Sequence, residues 1–382
     1  MSYLQVFLVV ALPLMGIVYA LLGALKLPLA ERLKLDEARV GRLVGGFGMM
    51  VGPTIMACGF LTDAVGRKVI FLGGMIAIAV AILLLAKGKT FGAATVAVLL
   101  LGAGWSGTVN VGNVLMRESV EPAHLTRAMN FYEFVFGFGA FVAPFVIGFL
   151  LRKSGFGPGL SLLAVLMLLP VAMGSVAPMS ATSAAGPSTA AAGLGTLLSS
   201  RMFWIAGLAF LFYVPIESSV AGWATTLVTK QGPGSEKAAA VALSGFWLGF
   251  MGSRLIVAGL DVHGKERPFI FGLSLACIAL MVLLVFLKGR LPVAAIVILA
   301  GLVCGPVFPT LIGVYLSGVH PSLLGRAVGF FFAFASVGWT LVPSLIGAVA
   351  RKTDSIQRGF SVAAASAVVF AVFAVLLLNL AP

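Results

Sequence analysis

Acidic side chains are scarce: Asp and Glu number 12 against 25 Lys and Arg in 382 residues, and only 10% of the chain is charged. A soluble domain carries roughly 25% charged residues, so an ordinary water-facing surface is excluded. Cysteine is nearly absent. Cys58, Cys277 and Cys304 lie inside apolar runs, with no paired spacing and no neighbouring histidine, which excludes a disulfide framework and a Cys/His metal site. They read as small core residues. His124, His263 and His320 fall in separate loops with no paired nucleophile, which argues against a membrane enzyme. No metal, cofactor or catalytic group is expected, and no phosphate-cradling glycine loop is present to drive an ATP-powered pump. Glutamine occurs only as Gln5, Gln231 and Gln357, near ends or loops, so a sugar site rich in glutamines is not evident.

What is present is apolar. Hydrophobic residues make up 60% of the chain, mean hydropathy is +1.13, and apolar runs long enough to cross a bilayer recur from end to end; about 20 residues suffice for a hydrocarbon core of roughly 30 Å. The 47 glycines and 18 prolines fit this reading, because membrane helices use small residues for close packing and neighbours satisfy freed carbonyls. The first apolar run begins near Leu4 without a basic leader, so a retained helix is expected rather than a cleaved signal. The net charge of +13 is scattered over short loops; anionic lipid is therefore the expected partner of these charges, not nucleic acid.

Charged or Gly/Pro-rich breaks divide the chain into spans near 4–27, 40–61, 69–86, 91–116, 128–151 and 160–178, then 202–229, 237–259, 268–287, 291–316, 327–350 and 360–380. The expectation is an all-α integral membrane protein of 12 transmembrane helices in two pseudo-symmetric bundles, 1–178 and 201–382, joined by a flexible Ser/Ala/Gly/Thr-rich cytoplasmic linker over 179–200. The halves repeat. Laying Arg127–Lys153 over Arg326–Lys352 matches nine of 27 positions, among them Gly139 with Gly338 and Pro144 with Pro343. Asp63-Ala-Val-Gly66-Arg67 is echoed by Asp261-Val-His-Gly264-Lys265.

Gly59-Phe-Leu-Thr-Asp63-Ala-Val-Gly66-Arg67-Lys68 resembles the loop signature of the major facilitator superfamily. Tyr213-Val-Pro-Ile-Glu217 leading to Trp223, Gly245-Phe-Trp247-Leu-Gly249 and Gly305-Pro-Val-Phe-Pro309-Thr310 resemble its fucose:proton symporter branch. The resemblance implies alternating access by two six-helix repeats, cytoplasmic termini in a plasma (inner) membrane, a monomer, a small-molecule solute as partner and protons as coupling ion. It also implies that spans 3, 6, 9 and 12 face lipid, and none of these contains a charge. The branch is expected to carry acids in spans 1 and 4, whereas Leu22-Gly-Ala-Leu25 and Trp105-Ser-Gly-Thr108 have none. In the implied orientation nine Lys and Arg lie on the cytoplasmic side and 15 outside, the reverse of the positive-inside pattern; the loop signature is the more specific guide.

An ionisable group within a span costs a few kcal/mol unless it faces a cavity or a partner. Three are candidates for solute binding or proton coupling: Glu217 in span 7, about 22 Å from its cytoplasmic end; Glu133, about 9 Å into span 5, as relay, gate or structural partner of a loop arginine; and Lys26, which reads more readily as a snorkelling anchor. Trp105, Asn110, Asn113, Tyr132, Tyr213, Trp223, Trp247 and Trp339 are candidates to line the route, each weighed against simple packing. Asp63, Gly66, Arg67, Lys68 and Arg117 resemble the family's inner gate, with Arg254 and Asp261 as a weaker second copy. The expected function is secondary active transport of a small organic solute, a sugar or related metabolite. The alternatives are efflux of amphipathic compounds and a non-transporting sensor or scaffold on the same fold.

Overall fold

A computed structural model describes residues 1–179, 187–232, 234–260 and 262–380. Among them, 12 helices are long and apolar enough to cross a membrane: α1 Tyr3–Leu33, α2 Arg39–Val65, α3 Arg67–Lys87, α4 Phe91–Glu118, α5 Pro122–Ser154, α6 Phe156–Val176, α7 Arg201–Thr229, α8 Glu236–Gly259, α9 Glu266–Phe286, α10 Arg290–Ser317, α11 Pro321–Thr353 and α12 Ile356–Leu378. The 12 expected spans are all present, several with ends that run beyond the apolar stretch. The serine- and threonine-rich segment behaves differently from a plain linker. Residues 180–186 lie outside the described residues, but Pro187–Ser199 is helical, as its alanines and leucines favour.

Polar residues at the boundaries start the helices. The Ser2 hydroxyl accepts from the Gln5 N–H while the Gln5 side chain accepts from the Ser2 N–H, a reciprocal cap on α1. Asp36, Thr90 and Ser200 accept in the same way before α2, α4 and α7. Two spans are broken: α6 turns at Met167–Leu168, just before Pro170, and α10 at Gly305–Pro306. The break in α10 matters later, because Pro309 has no N–H to bond the carbonyl of Gly305 four residues before it.

The chain forms two compact units. One comprises Met1–Val120, Val135–Leu194 and Val319–Ala333, and the other Glu121–Phe134, Gly195–Gly318 and Phe334–Pro382. In the first, α5 crosses α1 where a β-carbon on Gly139 would overlap the Pro13 backbone. In the second, α11 crosses α7 where a β-carbon on Gly338 would overlap the Leu211 carbonyl and touch the Pro215 ring. These glycines are the matched pair of the internal repeat. Each lets two helix backbones approach as small residues allow in membranes.

Candidate functional site

In the first unit the loop signature acquires a physical meaning residue by residue. A β-carbon on Gly59 would stand 2.5 Å from the Gly325 carbonyl oxygen, so glycine admits the backbone of α11. Gly66 ends α2 and starts α3 at φ 99°, a conformation side chains resist. Asp63, buried, accepts from the backbone N–H of Gly325 at 2.8 Å and of Arg326 at 3.0 Å, and its carboxylate lies 3.4 Å from Arg326 Nε. An anion thus sits on the free amides at the start of a helix, where the dipole favours it. Thr62 donates to Asn110 Oδ1, and Asn110 donates to the Gly325 carbonyl. Arg67 pairs with Glu118 at 2.6 Å and donates to the Pro321 carbonyl. Arg117 lies within electrostatic reach of Glu118, and Lys68 approaches the Ala177 carbonyl. Asn110, expected on the route, is committed to this clasp.

The same unit holds an aromatic cluster. Tyr19 of α1 stacks on Trp105 of α4, with Phe47 of α2 and Phe136 of α5 against the same pair. The buried Trp105 Nε1 has no hydrogen-bond partner among the described residues. Asn113 donates to the Val109 carbonyl of its own helix, and its Oδ1 is unpartnered there too. Lys26 is exposed.

In the second unit three helices bring ionisable groups together against the backbone of a fourth. Arg254 of α8, 6% exposed, donates through Nε to the Gly305 carbonyl at 2.8 Å and through a terminal nitrogen to the backbone and carboxylate oxygens of Glu133 of α5, at 3.2 and 3.3 Å. Its guanidinium carbon lies 4.2 Å from the Phe250 ring centre. The broken α10 supplies the carbonyl that receives Nε. Glu217 lies just past the middle of α7, half-buried, with its Oε2 2.8 Å from the Tyr213 hydroxyl. The same hydroxyl is 2.7 Å from the Cys304 carbonyl oxygen. Glu217 is within electrostatic reach of both Arg254 and Glu133. Nearby, Asn130 of α5 donates to Thr310.

The structure therefore joins Glu133, Tyr213 and Glu217, and adds Arg254, which the sequence pattern places in the second copy of the gate. Its assigned gate companion, Asp261, lies outside the described residues. Tyr132 is buried beside Phe131, Trp223 packs on α11 at Gly347, and Trp247 and Trp339 are exposed. Tyr19, Phe47 and Phe136 were missed because an aromatic in an apolar span carries no distinguishing pattern. Among the described residues no group of His, Cys, Asp and Glu has the makings of a metal site.

Twelve spanning helices with buried charge define a multi-pass integral membrane protein. The sequence model described as the Major Facilitator Superfamily matches residues 7–343; the chain belongs to that superfamily and is a transporter rather than an enzyme. Similar solved structures include the E. coli fucose:proton symporter FucP, at 17% identity and TM-score 0.84 over 99% of both chains. A second structure of FucP, in the outward conformation, is 18% identical with a TM-score of 0.83 and the same coverage. A human organic anion transporter is 18% identical over 97% of this chain and 99% of its own, with a TM-score of 0.80. At such identities the likeness establishes the fold. No curated protein sequence matches the chain.

Proposed function

We propose that the protein is a proton-coupled secondary transporter of a small organic solute, with the cluster of Glu133, Arg254, Tyr213 and Glu217 as its coupling site. The observation that carries this reading is the gathering of two acids and one cation from three spanning helices, α5, α7 and α8, into one group at membrane depth, with Glu133 and Arg254 buried and Glu217 half-buried. Burying such groups in a membrane is costly and marks ion or substrate pathways. Two acids and one cation leave one negative charge, which one proton neutralises. The fucose:proton symporter likeness supports proton coupling as the mode. Asp63, Arg67 and Arg326 form the conformational clasp: a set of contacts present in only one of two states biases their equilibrium. The termini face the cytoplasm across an inner membrane, and the two sequence halves act as the alternating-access bundles.

The solute offers an apolar or ring face to Tyr19 and Trp105 and a hydrogen-bond acceptor to the Trp105 indole N–H. A sugar or related metabolite meets this requirement. The aromatic, amide-poor surroundings favour as a second reading the export of an amphipathic compound. The test is Glu217→Gln in proteoliposomes. Loss of solute accumulation driven by a pH gradient, with solute exchange retained, is the expected result, because exchange needs no net proton movement. Wild-type accumulation and pH dependence in folded Glu217→Gln protein would overturn the coupling role.

A further inference from the structure

The Tyr213 hydroxyl has more partners than protons. Its oxygen is 2.8 Å from Glu217 Oε2 and 2.7 Å from the Cys304 carbonyl oxygen, both ordinary lengths for a full O–H···O bond. A phenol has one proton to give, a carbonyl oxygen only accepts, and an ionised carboxylate only accepts. With Glu217 ionised, one of the two contacts would set lone pair against lone pair inside the protein. A protonated carboxyl removes the conflict. Glu217 then donates its own O–H to the Tyr213 oxygen, and Tyr213 donates to Cys304.

We propose that Glu217 carries a proton in this conformation, held by a directed chain from the Glu217 carboxyl to the Tyr213 hydroxyl to the Cys304 carbonyl. The charges around it agree. Arg254, the cation facing Glu217 from α8, already bonds the Gly305 carbonyl and both oxygens offered by Glu133. From α5 comes Glu133, whose charge that arginine balances, and from α10 and α9 come the thiols of Cys304 and Cys277, which face each other. The Ser361–Leu378 stretch of α12, packed on α7, has no ionisable residue. One cation pairs with one carboxylate, and the second acid is left to bind a proton, since a buried unpaired charge is strongly disfavoured. The roles of the two acids therefore differ: Glu133 stays ionised against Arg254, and Glu217 is the exchangeable site. Release of the proton requires Tyr213 to turn its hydroxyl from Cys304 to Glu217, or Arg254 to move toward Glu217. The protonation rests on hydrogen-bond geometry and charge pairing; its use in transport rests on the coupling role proposed above.

Infrared difference spectroscopy on the full-length protein in lipid nanodiscs tests this directly. The wild type should show the carbonyl stretch of a protonated carboxylic acid, sensitive to H/D exchange, persisting above the pH at which exposed carboxyls ionise. The band should vanish in Glu217→Gln and only weaken in Glu133→Gln, where Arg254, freed of its carboxylate partner, turns toward Glu217 and favours its ionised form. Tyr213→Phe, which removes only the hydroxyl, should keep the band but shift its frequency, and serves where Glu217→Gln does not fold. No such band in the wild type, a band lost with Glu133→Gln but kept with Glu217→Gln, or a band unmoved by Tyr213→Phe overturns the proposal. A band assigned to Glu217 without pH-driven transport would uphold the protonation and sink the coupling role, whereas coupled transport without the band would do the reverse.

Discussion

Replacing Asp63 by asparagine should loosen the grip of the α2–α3 loop on the start of α11. The carboxylate accepts from two backbone amides, at 2.8 and 3.0 Å, and faces Arg326 Nε at 3.4 Å, with the acid side chain only 1% exposed. Hydrogen bonds to a charged group contribute about 1.5–3 kcal/mol each. Asparagine keeps one acceptor oxygen, so one bond is lost and the other weakened. Breaking a buried ion pair costs about 3–5 kcal/mol when the remaining charge has nowhere to turn. Because Arg326 also lies 5.4 Å from the Phe60 ring centre and has further contacts, a total near the lower end, about 3 kcal/mol, is appropriate. That is roughly a hundredfold change in the ratio of clasped to released forms. Nitroxide labels at the exposed positions Val65 and His320, on the two sides of the clasp, would report it as a new long-distance population in double electron–electron resonance. Asn110→Ala, which removes a neutral bond to the Gly325 carbonyl, should shift the same ratio by about tenfold or less. Identical distance distributions and transport rates in wild type and Asp63→Asn would refute the clasp.

Gly139→Ala should destabilise the protein by about 1–3 kcal/mol through forced separation of α1 and α5, while Gly148→Ala, on the same helix with nothing within 4 Å of its added methyl, should leave the thermal midpoint in detergent unchanged; equal midpoints for the two would show that the crossing is not close in the membrane protein. For topology, the exposed positions Ser199→Cys and Val65→Cys should react with an impermeant thiol reagent from one side of the membrane and Lys288→Cys from the other. Labelling of Ser199→Cys and Val65→Cys from opposite faces would break the helix count.

The number of spans, the internal repeat and the intramembrane acids are legible in the amino-acid order. Apolar runs of bilayer length have one stable outcome in lipid, a helix with every backbone group satisfied within it. Gly139 and Gly338 stood out as matched positions before the crossings they permit were visible, and Glu217 and Glu133 stood out because a charge in an apolar run is costly anywhere. The loop signature likewise marked Asp63 and Gly66 in advance. The pairings belong to the folded chain. Arg254 meets Glu133 across 121 residues of chain, a proximity that no local pattern encodes. Asn110 was as plausible on the solute route as in the clasp until Gly325 was placed beside it. The most informative partners, the carbonyls of Cys304 and Gly305, are backbone atoms that every residue carries. The break at Gly305–Pro306 and the missing N–H of Pro309 open the helix at that point, and the folding of α7 and α8 against α10 aims a hydroxyl and a guanidinium at what it leaves exposed.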